Sequence, residues 1–598
     1  MTLTRDGIPA APGIVIGPAY VLRLDVPRVS HVVVAPDDVE REVERFHEAR
    51  EWAKARIKEV RDQTEARLGE VEANIFDPQL LMLDDVELID RTVEYIRENR
   101  LSAARAFELR MVEFQSEWRR TGHPMVMDRL NDLTDVGNRV IRRLLGIDDP
   151  DYSLSHLEDK VILVARDLTP SLTVQLDRER VLGIATDAGT RTSHSAILAR
   201  ALGIPAVVSL GDLSQVVRTG QELILDGRAG RVVVEPTERE KSLYRERDVR
   251  VREWEQELVL LAHLEPVTPD HQPVLLRANI DLPGEAMVAR SHGAQGIGLF
   301  RTEFLVVGRS TVPGEEEQYI AYRQAAEAFP EDAVYIRTYD LGGDKFPLFL
   351  NMPPEENPFL GWRAIRVCLD MPDLFRTQLR ALLRATAHGD VRIMLPLVNE
   401  IDEIRRTREL LEEEEDRLRR EGIPFNPGYK VGIMIETPAA ALTAGVLARH
   451  ADFFSIGTND LVQYALAVDR GNARLAPRYN PFHPAVLKML KQVAEAAQSA
   501  GIEVSVCGEL ASSPLGVFLL IGLGITALSV GPASLPEVKK VIRSVPAADA
   551  REAIDAALEA PTATEVAAIL TEQIERWLDL SFFSGRWNPS HEETEPAA

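Results

Sequence analysis

Eight short apolar runs, separated by stretches of helical spacing, occupy the second half of this chain. They fall at residues 275–279, 296–301, 334–337, 391–396, 431–436, 453–460, 504–508 and 527–530. Helical patterns lie between most of them, as at 401–421 and 484–500. Parallel strands need crossovers of a dozen or more residues, and helices supply them. Eight such units in roughly 300 residues predict a (β/α)8 barrel.

The first half reads differently. Residues 14–16 and 19–22 are strand-like. Apolar Val39, Val43, Phe46, Ala49, Ala53, Ile57 and Val60 then follow helical spacing. Helical patterns continue at 79–99, 103–119 and 125–145, which makes a block of about four helices. Strands return at 161–164 and alternate with a helix-like stretch as far as 232–234. Residues 237–256 carry 12 charges in 20 positions, with Leu243, Val251, Trp254, Leu258 and Leu261 near helical spacing. That is a long exposed helix, either a semi-rigid connector or an ordinary solvated helix. The chain thus divides into an α/β domain (1–26 with 146–236), an inserted helical subdomain (27–145), a linker helix (237–264), the barrel (265–580) and a disordered tail (581–598).

Composition narrows the function. A net charge of −25 argues against nonspecific nucleic-acid binding and anionic membrane surfaces. Two cysteines, Cys368 and Cys507, give no disulfide framework and point to a reducing compartment. No signal-peptide pattern opens the chain, and the most apolar window, 515–530, is too short for a membrane span. These features predict a cytoplasmic protein.

Catalytic groups in such barrels sit at the C-terminal ends of strands. The predicted strands end at Asn279, Arg301, Arg337, Glu436, Asn459-Asp460 and Cys507. Two arginines suit carboxylate or phosphate oxygens. Two carboxylates suit a divalent cation such as Mg²⁺ shared with a phosphate. Together they describe a pocket for a small phosphorylated acid. Arg363 and Arg470 follow in loops and either add charge or lie on the surface. Asp340-Leu341-Gly342-Gly343-Asp344-Lys345 directly follows the third strand and reads as a charged active-site loop. Cys507 is either a packed thiol or an acid or nucleophile at the pocket mouth. Cys368 reads as core. A second motif, Gly189-Thr190-Arg191-Thr192-Ser193-His194, reads as a turn opening a helix. His194 there is either a structural contact or a group whose ring those donors orient.

These motifs together resemble Enzyme I of the bacterial phosphoenolpyruvate-dependent sugar phosphotransferase system, from about residue 7 to about residue 578. The resemblance rests on Gly-x-x-Thr-Ser-His with Ala-Ile-x-Ala-Arg up to Arg200, and on Gly298-Leu299-Phe300-Arg301-Thr302-Glu303-Phe304. It rests equally on Glu356-Asn357-Pro358-Phe359-Leu360-Gly361-Trp362-Arg363, on the run from Asp452 through Asn459-Asp460-Leu461, and on Ala467-Val468-Asp469-Arg470-Gly471-Asn472. The resemblance implies that His194 takes a phosphoryl group from phosphoenolpyruvate and passes it to a small histidine-containing (HPr-like) carrier protein. It implies that Arg301, Arg337, Arg363, Asn459, Asp460 and Arg470 hold phosphoenolpyruvate and that Glu436 and Asp460 bind Mg²⁺. Cys507 would protonate the enol product to pyruvate, the helical subdomain would dock the carrier, and the barrel would form a homodimer.

Two departures stand out. The family has a second glycine where this chain has Thr190, and many members have a histidine where it has Gln79. Pyruvate phosphate dikinases and phosphoenolpyruvate synthases share the histidine domain and the barrel. They also need an ATP-binding domain ahead of them, and no Gly-x-x-x-x-Gly-Lys-[Ser/Thr] loop occurs here. A non-catalytic regulator would lack His194, Cys507 or Arg301, and a barrel lyase would have no use for His194.

Overall fold

The computed structural model describes residues 3–22, 29–30, 33–68, 73, 76–121, 124–147, 159–168, 172–173, 176–190, 193–306, 311–342, 355–472, 474–475 and 478–583. The side chains of residues 117–121, 124–133, 194 and 195 are outside that description. Of the motifs read above, Arg191, Thr192, Gly343, Asp344 and Lys345 lie outside the described residues, as do tail residues 584–598. The chain forms two compact units, Met1–Arg252 and Glu253–Ala598. Among the described residues no helix is long and apolar enough to cross a membrane.

The first unit is built on an eight-stranded sheet. Its strands are β1 (Leu3–Asp6), β2 (Ile8–Ala11), β3 (Ile14–Leu22), β4 (Val161–Ala165), β5 (Val181–Thr186), β6 (Ala206–Val208), β7 (Glu222–Asp226) and β8 (Arg231–Val234). They lie in the order β1-β8-β7-β3-β4-β5-β6-β2. Strands β3 to β6 run parallel to one another, and the pairings β1–β8, β8–β7, β7–β3 and β6–β2 are antiparallel. Strands β4 and β6 are buried along their whole length, so they read as continuous apolar runs.

The helices interrupt this sheet between two parallel neighbours: β3 leads into them and β4 receives the chain on its return. Five are described: Val39–Leu68, Asp77–Leu83, Val86–Asn99, Ala103–Thr121 and Pro124–Leu145. The pattern read as one helix over 79–99 is broken because Asp85 caps the next helix, its carboxylate accepting from the Leu88 amide at 2.8 Å. Their shared core includes Phe46 and Phe107, with ring centroids 5.4 Å apart.

The second unit is a closed parallel barrel. Its strands are β9 (Leu275–Ile280), β10 (Ile297–Arg301), β11 (Val334–Arg337), β12 (Val391–Leu395), β13 (Lys430–Ile435), β14 (Phe453–Ile456), β15 (Glu503–Val506) and β16 (Ala527–Val530). Each pairs with the next and β16 closes on β9. One reading needs correction: the sixth strand stops at Ile456, and Asn459 and Asp460 lie on the helix Thr458–Leu466 that follows it.

Strand side chains alternate between faces, and here the alternation sorts the barrel interior into layers. Near the strand starts, Arg277 donates to both carboxylate oxygens of Asp332 (3.0 and 3.1 Å) and to Glu503 (2.6 Å). Arg277 and Arg392 both stack on the Tyr335 ring, at 4.9 and 5.0 Å from its centroid. Above them, Leu299, Met394, Met434 and Cys507 belong to one buried cluster with Tyr335 and Phe453. Two residues beyond Tyr335 comes Arg337, and two beyond Met434 comes Glu436.

The helix Glu238–Leu261 crosses the division between the units. The sequence leaves it either a semi-rigid connector or an ordinary solvated helix, but its last nine residues, from Glu253, belong to the barrel unit. Trp254, Leu258 and Leu261 are buried in that unit's core. The Trp254 ring lies 6.3 Å from Phe582 and 5.4 Å from Phe583. Those contacts also correct the expected tail: residues 581–583 are ordered because two aromatic rings gain burial against Trp254.

Candidate active site

At the C-terminal ends of the strands, acids and bases alternate in a buried chain. Arg337 Nη2 lies 2.9 Å from Glu303 Oε1 and 3.4 Å from Asp340 Oδ2. Asp340 accepts from Arg363 through both oxygens, at 2.7 and 3.0 Å. Arg363 Nη2 also donates to Asp460 Oδ2 at 2.9 Å, and Arg470 Nη2 lies 3.6 Å from Asp460 Oδ1. Glu303, Arg337, Asp340, Arg363, Glu436 and Asp460 are all 5% exposed or less. Charges this deep persist only when paired. Burial opposes the charges on Arg337 and Arg363, but the surrounding carboxylates outweigh it and hold both above the ordinary arginine range.

Glu436 follows β13, and its Oε1 accepts from the Leu397 amide at 2.6 Å. Burial raises this carboxyl, Asp460 and Asp340 raise it further, and Arg337 and Arg363 oppose them; the result is pushed up to about 7. Gly457 permits the close approach, since a Cβ there would lie 2.7 Å from Glu436 Oε2. Backbone strain gathers around the same place. Ala364, Leu397 and Ala467 adopt φ of 56°, 56° and 52°, which non-glycine residues rarely do.

This donor set fits a divalent cation. Two carboxylates repel one another in a buried space, and Asp460 Oδ1 is buried without a hydrogen-bond partner among the described residues. No group of three or more ligating side chains occurs among the described residues. Two carboxylates suffice for Mg²⁺ when a phosphate and water complete its octahedron.

The remaining predicted residues surround this chain. Arg301, a third exposed on its side chain, donates to Asp281 at 3.1 Å. The Asn459 carboxamide oxygen accepts from the Glu509 amide at 2.8 Å, and its carbonyl accepts from the Tyr479 hydroxyl at 3.0 Å. Cys507 is buried, and burial pushes its thiol up, opposed by a hydrogen bond with Ser455 and by Arg337 and Arg301, and aided by Glu436. A thiol that keeps its proton is suited to act as an acid. Cys368 is buried core, as read.

His194 belongs to the other unit and opens the helix His194–Leu202. Ser193 precedes it in extended conformation and donates its hydroxyl to the Thr190 carbonyl at 2.9 Å. Gly189, the glycine that this chain keeps, has φ +112°, a conformation that glycine adopts freely. Gln79, the other departure, is fully buried in the helical block.

Sequence reasoning passed over several partners. Glu303 lies two residues past Arg301 inside a quoted motif that gives it no role, and Asp340, read as part of a charged active-site loop, proves to be the residue that pairs with both Arg337 and Arg363. Tyr464 was also missed; its hydroxyl accepts from Arg363 at 3.1 Å and donates to the Phe359 carbonyl at 2.6 Å. Tyr464 and Phe359 are about a hundred residues apart in the chain, and only the fold brings them together.

Comparison with known proteins agrees with this layout. Three family models match: the PEP-utilising enzyme N-terminal domain over residues 6–129, the mobile domain over 157–230 and the PEP-binding domain over 255–547. A phosphoenolpyruvate-protein phosphotransferase of Haemophilus influenzae is 41% identical over 567 residues, covering 95% of this chain and 98% of the relative. Its counterpart in Staphylococcus epidermidis is 41% identical over 573 residues, covering 96% of this chain and all of the relative. A solution structure of an Enzyme I protein is 36% identical, covers 41% of this chain and 98% of its own, and has a TM-score of 0.35.

Proposed function

The chain belongs to the phosphoenolpyruvate-protein phosphotransferase family, and on that premise we propose how its residues divide the work. It takes the phosphoryl group of phosphoenolpyruvate onto His194, passes it to a histidine of a small carrier protein, and releases pyruvate. This is the first step of the sugar phosphotransferase system. The observation that carries the assignment is the buried chain Arg337–Asp340–Arg363–Asp460 at the barrel mouth.

Phosphoryl transfer asks a protein mainly for positioning and charge neutralisation. Arg301, Arg337, Arg363, Asn459 and Arg470 hold the phosphate and carboxylate of the substrate. Glu436 and Asp460 hold Mg²⁺, which when bound neutralises charge on the phosphoryl oxygens. A neutral imidazole nitrogen of His194 attacks phosphorus; the P–N bond forms as the P–O bond to the enol breaks, and that electron pair leaves with the enolate. Cys507 gives its S–H proton to C3 of the enolate. The sulfur keeps the S–H electron pair and recovers a proton from water. Without that protonation the enolate would take the phosphoryl group back.

His194 and the pocket belong to different units, so the two must meet during each turnover. The helix Glu238–Leu261 is the pivot in this reading, the helical subdomain is the carrier's docking surface, and the barrel is the homodimer contact. A cytoplasmic setting goes with two free, buried cysteines.

The test is intact-protein mass after incubation with phosphoenolpyruvate and Mg²⁺. One acid-labile phosphoryl group is expected on the parent and none on His194→Ala. A phosphoryl group retained by the variant would overturn the assignment of His194.

A further inference from the structure

Asn279 was visible in the sequence as the end of a strand, with no role. In the structure its carboxamide joins three strand ends. Its Nδ2 donates to the carbonyl of Cys507 at 2.9 Å and to the carbonyl of Ser529 at 3.2 Å. Its Oδ1 accepts from the Ser529 hydroxyl at 2.6 Å. Both N–H donors are therefore used, and the carbonyls of Cys507 and Ser529, which only accept, fix which way the amide faces, with the Ser529 hydroxyl donating to its oxygen.

The topology makes these bonds informative. β16 lies between β9 and β15, so Asn279 on β9 reaches past β16 to the residue that follows β15. The ladder between β15 and β16 pairs only Ser505 with Ala527 and Val506 with Leu528, and stops before Cys507. From the β14 side, Cys507 donates its amide to the Ile456 carbonyl at 3.1 Å. Its thiol makes a long contact to that same carbonyl, 3.6 Å, and also interacts with the Ser455 side chain. Cys507 is thus beyond the sheet hydrogen bonds on its β16 side, and the Asn279 amide stands in for the missing partner strand.

We propose that Asn279, with its orientation set by Ser529, is a positioning residue for the proton-donating thiol of Cys507. The inference rests on the reading of Cys507 given above. Holding the Cys507 carbonyl fixes the peptide on which the thiol is carried. The thiol is then presented to one face of the enolate C3. Catalytic groups lose much of their effect when displaced by about an ångström.

The test uses the full-length protein in excess over phosphoenolpyruvate that carries tritium at one C3 position, in D₂O. The methyl chirality of the pyruvate reports the face that received the deuteron. The parent is expected to deliver to a single face. Asn279→Ala is expected to lose at least half of that selectivity, because enol that escapes unprotonated ketonises in solution with no preference, while the KM for phosphoenolpyruvate moves less than threefold. Ser529→Ala is expected to lose selectivity in the same direction but less, and it carries the test if Asn279→Ala does not fold. Variants that turn over slowly yet still deliver to one face would show a merely structural role and overturn the proposal. Cys507→Ala separates the two readings. If it keeps single-face delivery, the acid assignment of Cys507 falls. If it loses selectivity while Asn279→Ala and Ser529→Ala keep it, only the present inference falls.

Discussion

The amide of Leu397 donates to Oε1 of Glu436 at 2.6 Å, from a residue held at φ 56°. A non-glycine residue in that region costs about 1–3 kcal/mol and persists only where its surroundings impose it. The strained peptide aims a donor at a carboxylate proposed to hold a cation. Glu436→Gln keeps an acceptor for Leu397 but removes the charge. It is expected to lower kcat/KM by about 10²–10³-fold, the loss typical for a group that stabilises developing charge. It is also expected to abolish Mn²⁺ binding followed by titration. Mn²⁺ affinity equal to the parent's would remove Glu436 from the cation site.

Asp340 sits between Arg337 and Arg363. Removing one partner of a buried ion pair costs about 3–5 kcal/mol, because the other charge is stranded. Asp340→Ala is expected to lose that much in urea unfolding of the barrel unit and to raise the KM for phosphoenolpyruvate at least about tenfold, since both arginines lose their brace. A variant as stable as the parent would show that Glu303 and Asp460 hold the two arginines without Asp340.

The opposite end of the barrel separates stability from activity. Arg277→Met removes the cation bonded to Asp332 and Glu503, leaving Asp332 without an ion-pair partner and Glu503 with only the longer Arg392 contact and the Tyr335 hydroxyl. A destabilisation of about 3–5 kcal/mol is expected. Because active sites of such barrels lie at the other end, kcat and KM should stay within about threefold of the parent below the melting range. A large loss of kcat without a loss of stability would contradict this division.

Asp270 gives a pH signature. Its carboxylate accepts from the amides of Ala547 and Ala548 at 2.9 and 3.0 Å, at the start of the helix Ala547–Glu559, and from the Thr268 hydroxyl at 2.5 Å. The small burial of this group acts to raise it, but the three hydrogen bonds outweigh that and hold it at about 2. A carboxyl depressed on folding stabilises the fold above its unfolded value, near 3.9, and loses that contribution as pH falls through about 2. Asp270→Asn should cost about 1 kcal/mol at pH 7, a typical capping contribution reduced by solvent screening. The thermal midpoints of variant and parent should converge between pH 4 and pH 2. A constant gap across that range would show that the charge contributes nothing.

Trp254 and the two phenylalanines that end the described chain form one packing unit. Trp254→Ala should cost about 3–5 kcal/mol, as large-to-small core changes do. Ending the chain at Leu580 should cost somewhat less. Combining the two should cost little more than Trp254→Ala alone, because they remove the same contacts. Strict additivity in unfolding experiments would refute the shared contact.

Much of this was legible because strand periodicity and site chemistry coincide. Arg337 and Glu436 are each two residues beyond a buried interior side chain, so a correct strand assignment already placed both at the mouth. Asp460 reads as the end of the sixth strand, which is the wrong element, because 453–460 reads as one apolar run and the helix begins inside it at Thr458. Residues 581–583 were misread because a charged tail hides two aromatics whose partner, Trp254, lies more than 300 residues away. The links Tyr464–Phe359 and Asn279–Cys507 left no trace in local pattern, since they depend on barrel closure. Tertiary contacts of this kind follow from topology, which local propensity does not encode.

The place where the helices interrupt the sheet has a consequence in time. None of the first three strands pairs with another of them: β1 lies on β8, β2 on β6, and β3 between β4 and β7. The earliest partner, β4, follows β3 after about 140 residues, and at synthesis rates of about 5–20 residues per second that is a wait of roughly 7–30 s. During that interval the helices between them are the only part of the unit that can complete its own core. A nascent chain stalled before Val161 should therefore carry a folded bundle of helices preceded by three strands with no partners, and those open edges are what a chaperone would have to cover.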